Sequence, residues 1–268
     1  MPTRLVHVSD LHAGAREETM IETPLAELVE RTSPALVVAT GDLAHRGRRD
    51  QHERAHAFLV GLGRPVLAVP GNHDLPATLP ARFTTPWREF ERAWQTTEPL
   101  FRSDELVVVG LNSARPWRHQ SGGLSAAALE RARSELEAAP PSALRAVCLH
   151  HHLAGAPWRS RKRPLARRGH VLAALAEAGA ELILAGHIHQ STVCERREFE
   201  VVESGGRVCV LATAPGLGQP RPRRRGEARG VQVYEVDAGE LRVETYLWRD
   251  GAFTLAATRR FPRASLPI

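Results

Sequence analysis

Apolar runs of about five residues recur along the chain, and each stops at a polar cluster. Residues 4–8, 35–39, 65–69, 106–111, 145–149 and 181–185 are rich in Val, Leu and Ile, too short for helices, and apolar at most positions, uniformly so at 35–39. Such runs predict strands covered on both faces, which favours α/β architecture. Helical spacing separates them. Leu25, Leu28 and Val29 give residues 21–31 a core-facing stripe; a polar helix is expected over 50–62 and a further helix over 165–178. Ser125 reads as the N-cap of a further helix, with Glu130 soon after. Phe83, Trp87, Phe90 and Trp94 fall roughly at helical spacing and read as core or lid packing. From about Thr192 the texture changes to short strands at 201–202, 208–212, 231–236, 241–247 and 253–256, interrupted by a Pro- and Arg-rich loop at 215–230. With no long linker and no fixed-period repeat, residues 1–268 are expected to form one domain.

The polar clusters at the strand ends carry the chemistry. The first strand runs into Asp10-Leu11-His12, and residues i and i+2 of an extended segment share a face, so the two can grip one ion. Asp42 follows the second strand, and Gly71-Asn72-His73-Asp74 follows the third, where glycine permits tight turning. Three consecutive imidazoles, His150, His151 and His152, follow the fifth; packing does not explain all three, so at least one is expected to be functional. Another i, i+2 pair, His187 and His189, follows the sixth. Each cluster alone also fits an ordinary turn. His7, inside a strand, reads as a packed histidine. His45 and Arg46 belong either to the site or to a solvated loop.

Composition changes this picture little. The formal net charge of +6 invites a nucleic-acid partner, but the 36 basic residues include a single lysine, Lys162, which points to biased codon supply as much as to a basic surface. Two arginine-rich runs, 159–168 and 221–225, can contact phosphate, with solvated loops as the plainer reading. Cys148, Cys194 and Cys209 lack metal-type spacing and read as buried apolar residues in a reducing compartment. No apolar run approaches the roughly 20 residues of a membrane-spanning helix, and no signal-peptide pattern opens the chain, so a cytoplasmic location is expected.

Parallel strands bring their exits to one sheet edge. Asp10, His12, Asp42, Asn72, His150, His187 and His189 are too many ligands for one divalent ion and suit two, with Asp42 able to bridge. Imidazole and carboxylate donors without thiolate fit manganese, iron or zinc rather than calcium or magnesium. Two ions about 3.5–4 Å apart can activate a bridging hydroxide and clamp an in-line phosphoryl displacement, so phosphate-ester hydrolysis is the expected reaction.

The ordered set Asp10-x-His12, Gly41-Asp42, Gly71-Asn72-His73-Asp74, His150 and Gly186-His187-x-His189 resembles the calcineurin-like metallophosphoesterase superfamily. The flanks Val69 to Pro76, Arg82-Phe83, Leu111 to Pro116 and Leu149-His150-His151, with the fainter Arg225-Gly226-Glu227, are similar to its bacterial branch that includes class III cyclic-nucleotide phosphodiesterases. The sequence departs from that branch at Arg229, where asparagine is expected, and at His152-Leu153, where prolines are common.

The resemblance implies a four-layer αββα sandwich with two mixed β-sheets, the segment from about 192 completing it. It implies one metal on Asp10, His12, Asp42 and His189 and a second on Asp42, Asn72, His150 and His187, with manganese or iron favoured. His73 would stay off the metals and serve the leaving group, Asp74 would orient His73, and His151 would sit behind the ligands. The expected substrate is a small phosphodiester, cyclic nucleotides included. The rivals are a nuclease or nucleic-acid-binding protein, and a phosphomonoesterase on the same site. The segment after Thr192 is a candidate homodimer surface or cap.

Overall fold

The structure, a computed structural model, describes residues 2–15, 21–158, 160–200, 208–218 and 224–263. The strand expected at 201–202, and Arg159 and 221–223 of the arginine runs, lie outside the described residues.

Two six-stranded sheets carry the chain. In the first, β1 (Thr3–Val8), β2 (Leu36–Ala39) and β3 (Val66–Ala68) run parallel, while β10 (Gly230–Val236) pairs antiparallel with β1 and leads out through β11 (Glu240–Arg249) to β12 (Ala252–Pro262). The second sheet has β5 (Leu106–Gly110), β6 (Leu144–Cys148), β7 (Leu182–Ala185) and β9 (Val210–Thr213) in parallel, edged by antiparallel β4 (Leu100–Arg102) and β8 (Thr192–Glu195). Both sheets are therefore mixed.

Three apolar layers hold them. Between the sheets, Leu5, Leu36 and Val38 of the first pack against Val108, Ala146 and Leu184 of the second. The outer face of the first sheet is covered by α1 (Glu22–Thr32), α2 (Arg49–Val60) and α4 (Arg88–Trp94), through Leu25, Leu28, Leu59 and Phe90. Helices α5 (Ala126–Glu137) and α6 (Arg168–Glu177) cover the second through Leu136, Leu172 and Leu175. The layers are thus αββα. Strands β2, β5, β6 and β7 are buried at every position, which is why their sequences are apolar runs rather than alternating ones.

Several boundaries differ from expectation for physical reasons. The aromatic stretch is broken into α3 (Ala81–Thr84) and α4 around Pro86; Phe90 enters the core while Phe83 stays exposed. Helix α6 starts at Arg168 because Leu165 spends its amide on the His152 carbonyl, 3.0 Å away, and ties down the preceding segment instead. Strand β12 is longer than its apolar signature because it is a largely exposed edge strand, where no face is obliged to be hydrophobic.

Register places the site. Val8 pairs with Ala39 and Ala39 with Ala68, so the exits of β1, β2 and β3 stand side by side. Cys148 pairs with Leu184, which does the same for β6 and β7 in the facing sheet.

Candidate metal centre

At these exits the backbone is bent into a conformation that L-residues avoid. Asp10, His12, Asp42, His187 and His189 have φ of 54°, 53°, 52°, 76° and 57°, five of the nine positive-φ non-glycine residues among the described residues. Such conformations cost on the order of 1–3 kcal/mol each and persist only where surrounding structure enforces them. Here backbone bonds lace the loops together: Asp10 donates to Gly41 at 2.9 Å and His12 to Asp42 at 2.8 Å. The need for Gly71 differs from the one expected. Its φ is not positive; a Cβ there would collide with the amide nitrogen and Oδ1 of Asp42. Close approach of two loops, rather than turning, requires glycine at this position.

Two buried donor groups result, one of Asp10, His12 and His189 and the other of Asp42, His150 and His187. Asp10 Oδ2 accepts from Ser9 Oγ at 2.7 Å and the His187 amide at 2.9 Å, which turns Oδ1 toward the imidazoles. Oδ1 lies 2.9 Å from His189 Nε2 without hydrogen-bond geometry, and His12 Nε2 faces His189 Nε2 at 3.3 Å. In the second group the tautomers are fixed from behind. His150 Nδ1 donates to the Thr40 carbonyl at 2.7 Å, and His187 Nε2 donates to the Gln120 carbonyl at 3.1 Å. A neutral His150 then presents the lone pair of Nε2 to the lone pair of His187 Nδ1 at 3.1 Å, with Asn72 Oδ1 at 3.2 Å. Asp42 stands between the groups, Oδ1 3.4 Å from His150 Nε2 and Oδ2 3.9 Å from His12 Nε2. Converging donor atoms, with Asp10 Oδ1 and Asp42 Oδ2 buried and without hydrogen-bond partners among the described residues, fit a pair of cations. All seven residues expected as ligands therefore meet at one place.

The protonation states follow the same geometry. Burial alone would raise both carboxyls, but His189 beside Asp10 and His150 beside Asp42 outweigh it and hold both below the ordinary carboxylate range. Burial drives the His12 and His187 imidazoles well down. His150 goes the other way: against burial, Asp42 pushes its pKa up to about 9, so a proton takes the place a cation would fill.

Around this centre the remaining expectations separate. The backbone amide of His73 donates to Asp42 Oδ1 at 2.8 Å, and its Nδ1 donates to the His45 carbonyl at 3.0 Å, leaving Nε2 to exchange a proton. His12, His45 and His73 form a third imidazole cluster, but it contains no carboxylate and His73 Nδ1 is committed to a carbonyl, so it reads as a flank of the centre. The expectation that Asp74 orients His73 needs correction. Both Asp74 oxygens accept backbone amides, from Ala44 and Gly71 at 2.7 Å each, so Asp74 binds the two loops together and the His45 carbonyl aims the His73 ring. His151 Nδ1 pairs with Ser113 Oγ at 2.9 Å, behind His150 and His187. Arg229 is a strut, donating to the Leu217 carbonyl at 3.0 Å under Trp248, beside an Ala228 amide that donates to His189 O.

Of the outer wall, sequence reasoning offered only His45 and Arg46 as possible site residues and missed Trp117 and His119. A cavity of about 530 Å³ opens from Asn72 and His73 and is bounded by Arg46, Arg82, Trp117 and His119. Arg82 donates to the Pro116 and Pro76 carbonyls and contacts His119 Nδ1 at 3.3 Å; Trp117, 70% exposed, stands at the rim. Lys162 was also missed as a site residue. Its ammonium donates to the His187 carbonyl and lies 3.9 Å from Asp10 Oδ1. The one available signal was its being the only lysine in an arginine-rich chain.

Comparison with known proteins agrees with this geometry. The family model described as Calcineurin-like phosphoesterase matches residues 3–191. A probable cyclic nucleotide phosphodiesterase from Rhodopseudomonas palustris is 27% identical over 157 residues, 55% of this chain and 57% of that protein. One from a Synechococcus strain is 28% identical over 126 residues, 44% and 47% of the two chains. A glycerophosphodiester phosphodiesterase from Enterobacter lignolyticus is 31% identical over 80 residues, 26% of this chain and 29% of that one. The matches to the two probable cyclic nucleotide phosphodiesterases thus span about half the length of those relatives. In fold, a dimetal phosphatase from Danio rerio superposes with a TM-score of 0.68 at 15% identity, over 98% of this chain and 100% of that one. A purple acid phosphatase from yellow lupin gives 0.64 at 13%, over 98% and 54%.

Proposed function

Since the chain belongs to the calcineurin-like phosphoesterase family, we propose that it hydrolyses phosphodiesters, cyclic nucleotides or small linear diesters, at a two-metal centre. The observation that carries the reading is the convergence in the second group of His187 Nδ1 at 3.1 Å and Asn72 Oδ1 at 3.2 Å on His150 Nε2, beside a carboxylate shared with the first. Asp10, His12, Asp42 and His189 would hold one ion; Asp42, Asn72, His150 and His187 would hold the other. Two such ions supply Lewis acidity toward phosphoryl oxygens and a nucleophile at neutral pH. Manganese or iron suits the donors best, with zinc admissible. Cys148 offers no thiolate, because burial pushes its pKa up.

The chain's own groups do the rest. His73, held by the His45 carbonyl at Nδ1, gives a proton from Nε2 to the leaving oxygen. Arg82 and His119 line the cavity that receives an ester group, and Trp117 offers a ring at its rim. The diester preference draws support from the relatives, two probable cyclic nucleotide phosphodiesterases and a glycerophosphodiester phosphodiesterase. Residues 1–268 act as one unit in this reading, because β10 to β12 extend the sheet that bears Asp10 and Asp42. The free thiols of all three cysteines suit a reducing, cytoplasmic setting.

A substrate panel on the manganese-loaded protein tests the proposal: cyclic nucleotides, linear diesters, monoesters and single-stranded DNA, compared by kcat/KM. Diesters are expected to lead. Asp42→Ala is expected to lower diester hydrolysis by more than about 100-fold, beyond what loss of an outer partner costs. Unchanged activity in that variant would sink the two-metal reading, and a lead for monoesters or DNA would reassign the substrate.

A further inference from the structure

Lys162 has no evident structural reason to be a lysine. It is the one lysine among 36 basic residues, in a chain that uses arginine everywhere else. It sits in the segment between β6 and α6 that folds back over the metal centre. That segment is fastened on three sides: Trp158 N donates to Gln190 Oε1 at 2.9 Å, Ala166 N to the Ser121 carbonyl at 2.9 Å, and Leu165 N to the His152 carbonyl at 3.0 Å. The amide of Lys162 itself donates to Ser160 Oγ at 3.1 Å. The side chain is thereby aimed inward and is only 15% exposed.

An ammonium has three donors. One reaches the His187 carbonyl, and no other hydrogen bond from Nζ is made among the described residues. Asp10 is the nearest carboxylate, but its Oδ2 is satisfied by Ser9 and the His187 amide, and its Oδ1, 3.9 Å from Nζ, points to the donor group. Charge counting argues against a simple counter-ion. The two carboxylates of the centre, Asp10 and Asp42, do not neutralise two divalent ions, so a further cation is tolerable only when an anion joins them. The reach of Lys162 is to the centre itself: Nζ stands 3.9 Å from Asp10 Oδ1, the oxygen aimed at the donor group and without a hydrogen-bond partner among the described residues. Lysine suits such a slot because its charge is compact, whereas a guanidinium needs planar room for its fork.

We propose that Lys162 is a substrate-phosphate ligand: it keeps its bond to the His187 carbonyl and directs its remaining N–H donors to a non-bridging oxygen of the phosphoryl group at the two-metal centre. The proposal rests on the phosphoester reading above. It adds a positive contact that strengthens as charge builds on the phosphoryl oxygens, so a dianion is held more tightly than a monoanion.

The test compares wild type with Lys162→Gln and Lys162→Met, the second serving if the first does not fold, in the full chain loaded with manganese. Inorganic phosphate binding by calorimetry, metal content per chain, and kcat and KM for a chromogenic diester are measured. Both variants are expected to keep the full metal content and to lose about tenfold or more in phosphate affinity, the value of one charge-assisted hydrogen bond. Phosphate affinity within about twofold of wild type would overturn the proposal, as would loss of metal, which would make Lys162 a support of the ligands. The two readings fail separately. If wild type cleaves no ester yet the variants lose phosphate binding, the substrate assignment falls and Lys162 stands. If wild type cleaves diesters and the variants bind phosphate normally, only the role of Lys162 falls.

Discussion

His73 differs from the histidines around it in what its ring touches. The rings of His150 and His187 are each fixed at one nitrogen by a carbonyl and present the other to an opposing imidazole, whereas His73 is fixed at Nδ1 and half-exposed in the cavity. His73→Ala is therefore expected to retain both metals while kcat falls by roughly 10²–10⁴, the usual worth of a positioned acid. Metal analysis beside kinetics checks it, and a drop in metal content would make His73 a ligand. At this scale the sequence was most legible, because Asp, Asn and His at strand exits advertise their chemistry by type and spacing. Asp74 was misjudged for an equally local reason. A carboxylate next to a histidine suggests contact, but adjacent side chains diverge, and the oxygens of Asp74 found the amides of Ala44 and Gly71.

Helix α5 shows what a single element takes from one residue. Ser125 has extended backbone and its Oγ accepts from the Ala128 amide at 3.1 Å, satisfying one of the donors a helix start leaves unpaired. Ser125→Ala is expected to cost about 1 kcal/mol and lower Tm by roughly 2–4 °C in a chain of this size. Metal content should not change, and a melt indistinguishable from wild type would show that water replaces the cap. That cap was legible from sequence because it is local. The edge strands β4 and β8 were not. They are three and four residues long and partly exposed, and they exist only because a neighbour offers its edge. Pro86 marked the break between α3 and α4, yet the aromatic spacing across it still suggested continuity.

At the scale of the molecule, hydrophobic pattern indicated α/β architecture, while the sandwich itself was an implication of family resemblance. Strand order escapes periodicity, since it depends on pairings such as Val6 with Val233, across most of the chain. The assembled centre makes a prediction about pH. Asp42 raises the His150 pKa from 6.5 to about 9 in the absence of metal. This pair thus stabilises the metal-free fold fully below pH 6.5, and the contribution is lost as pH rises through about 9. A cation at that ring must displace the proton, so manganese affinity should climb with pH until about 9 and then level. Calorimetry near about pH 7.5 in buffers of different ionisation enthalpy should show about one proton released at this ring. Affinity that is flat across that range would mean His150 binds no metal.

The meeting of His12 with His189, 177 positions apart in the chain, has a consequence for synthesis. The carboxylates leave the ribosome early, in Asp10 and Asp42, whereas His150, His187 and His189 emerge last of the donors. Neither donor group that contains a carboxylate exists until both sheets have docked, because each draws members from both. The full donor set is thus a product of sheet docking, and a cation that binds it holds the two sheets together.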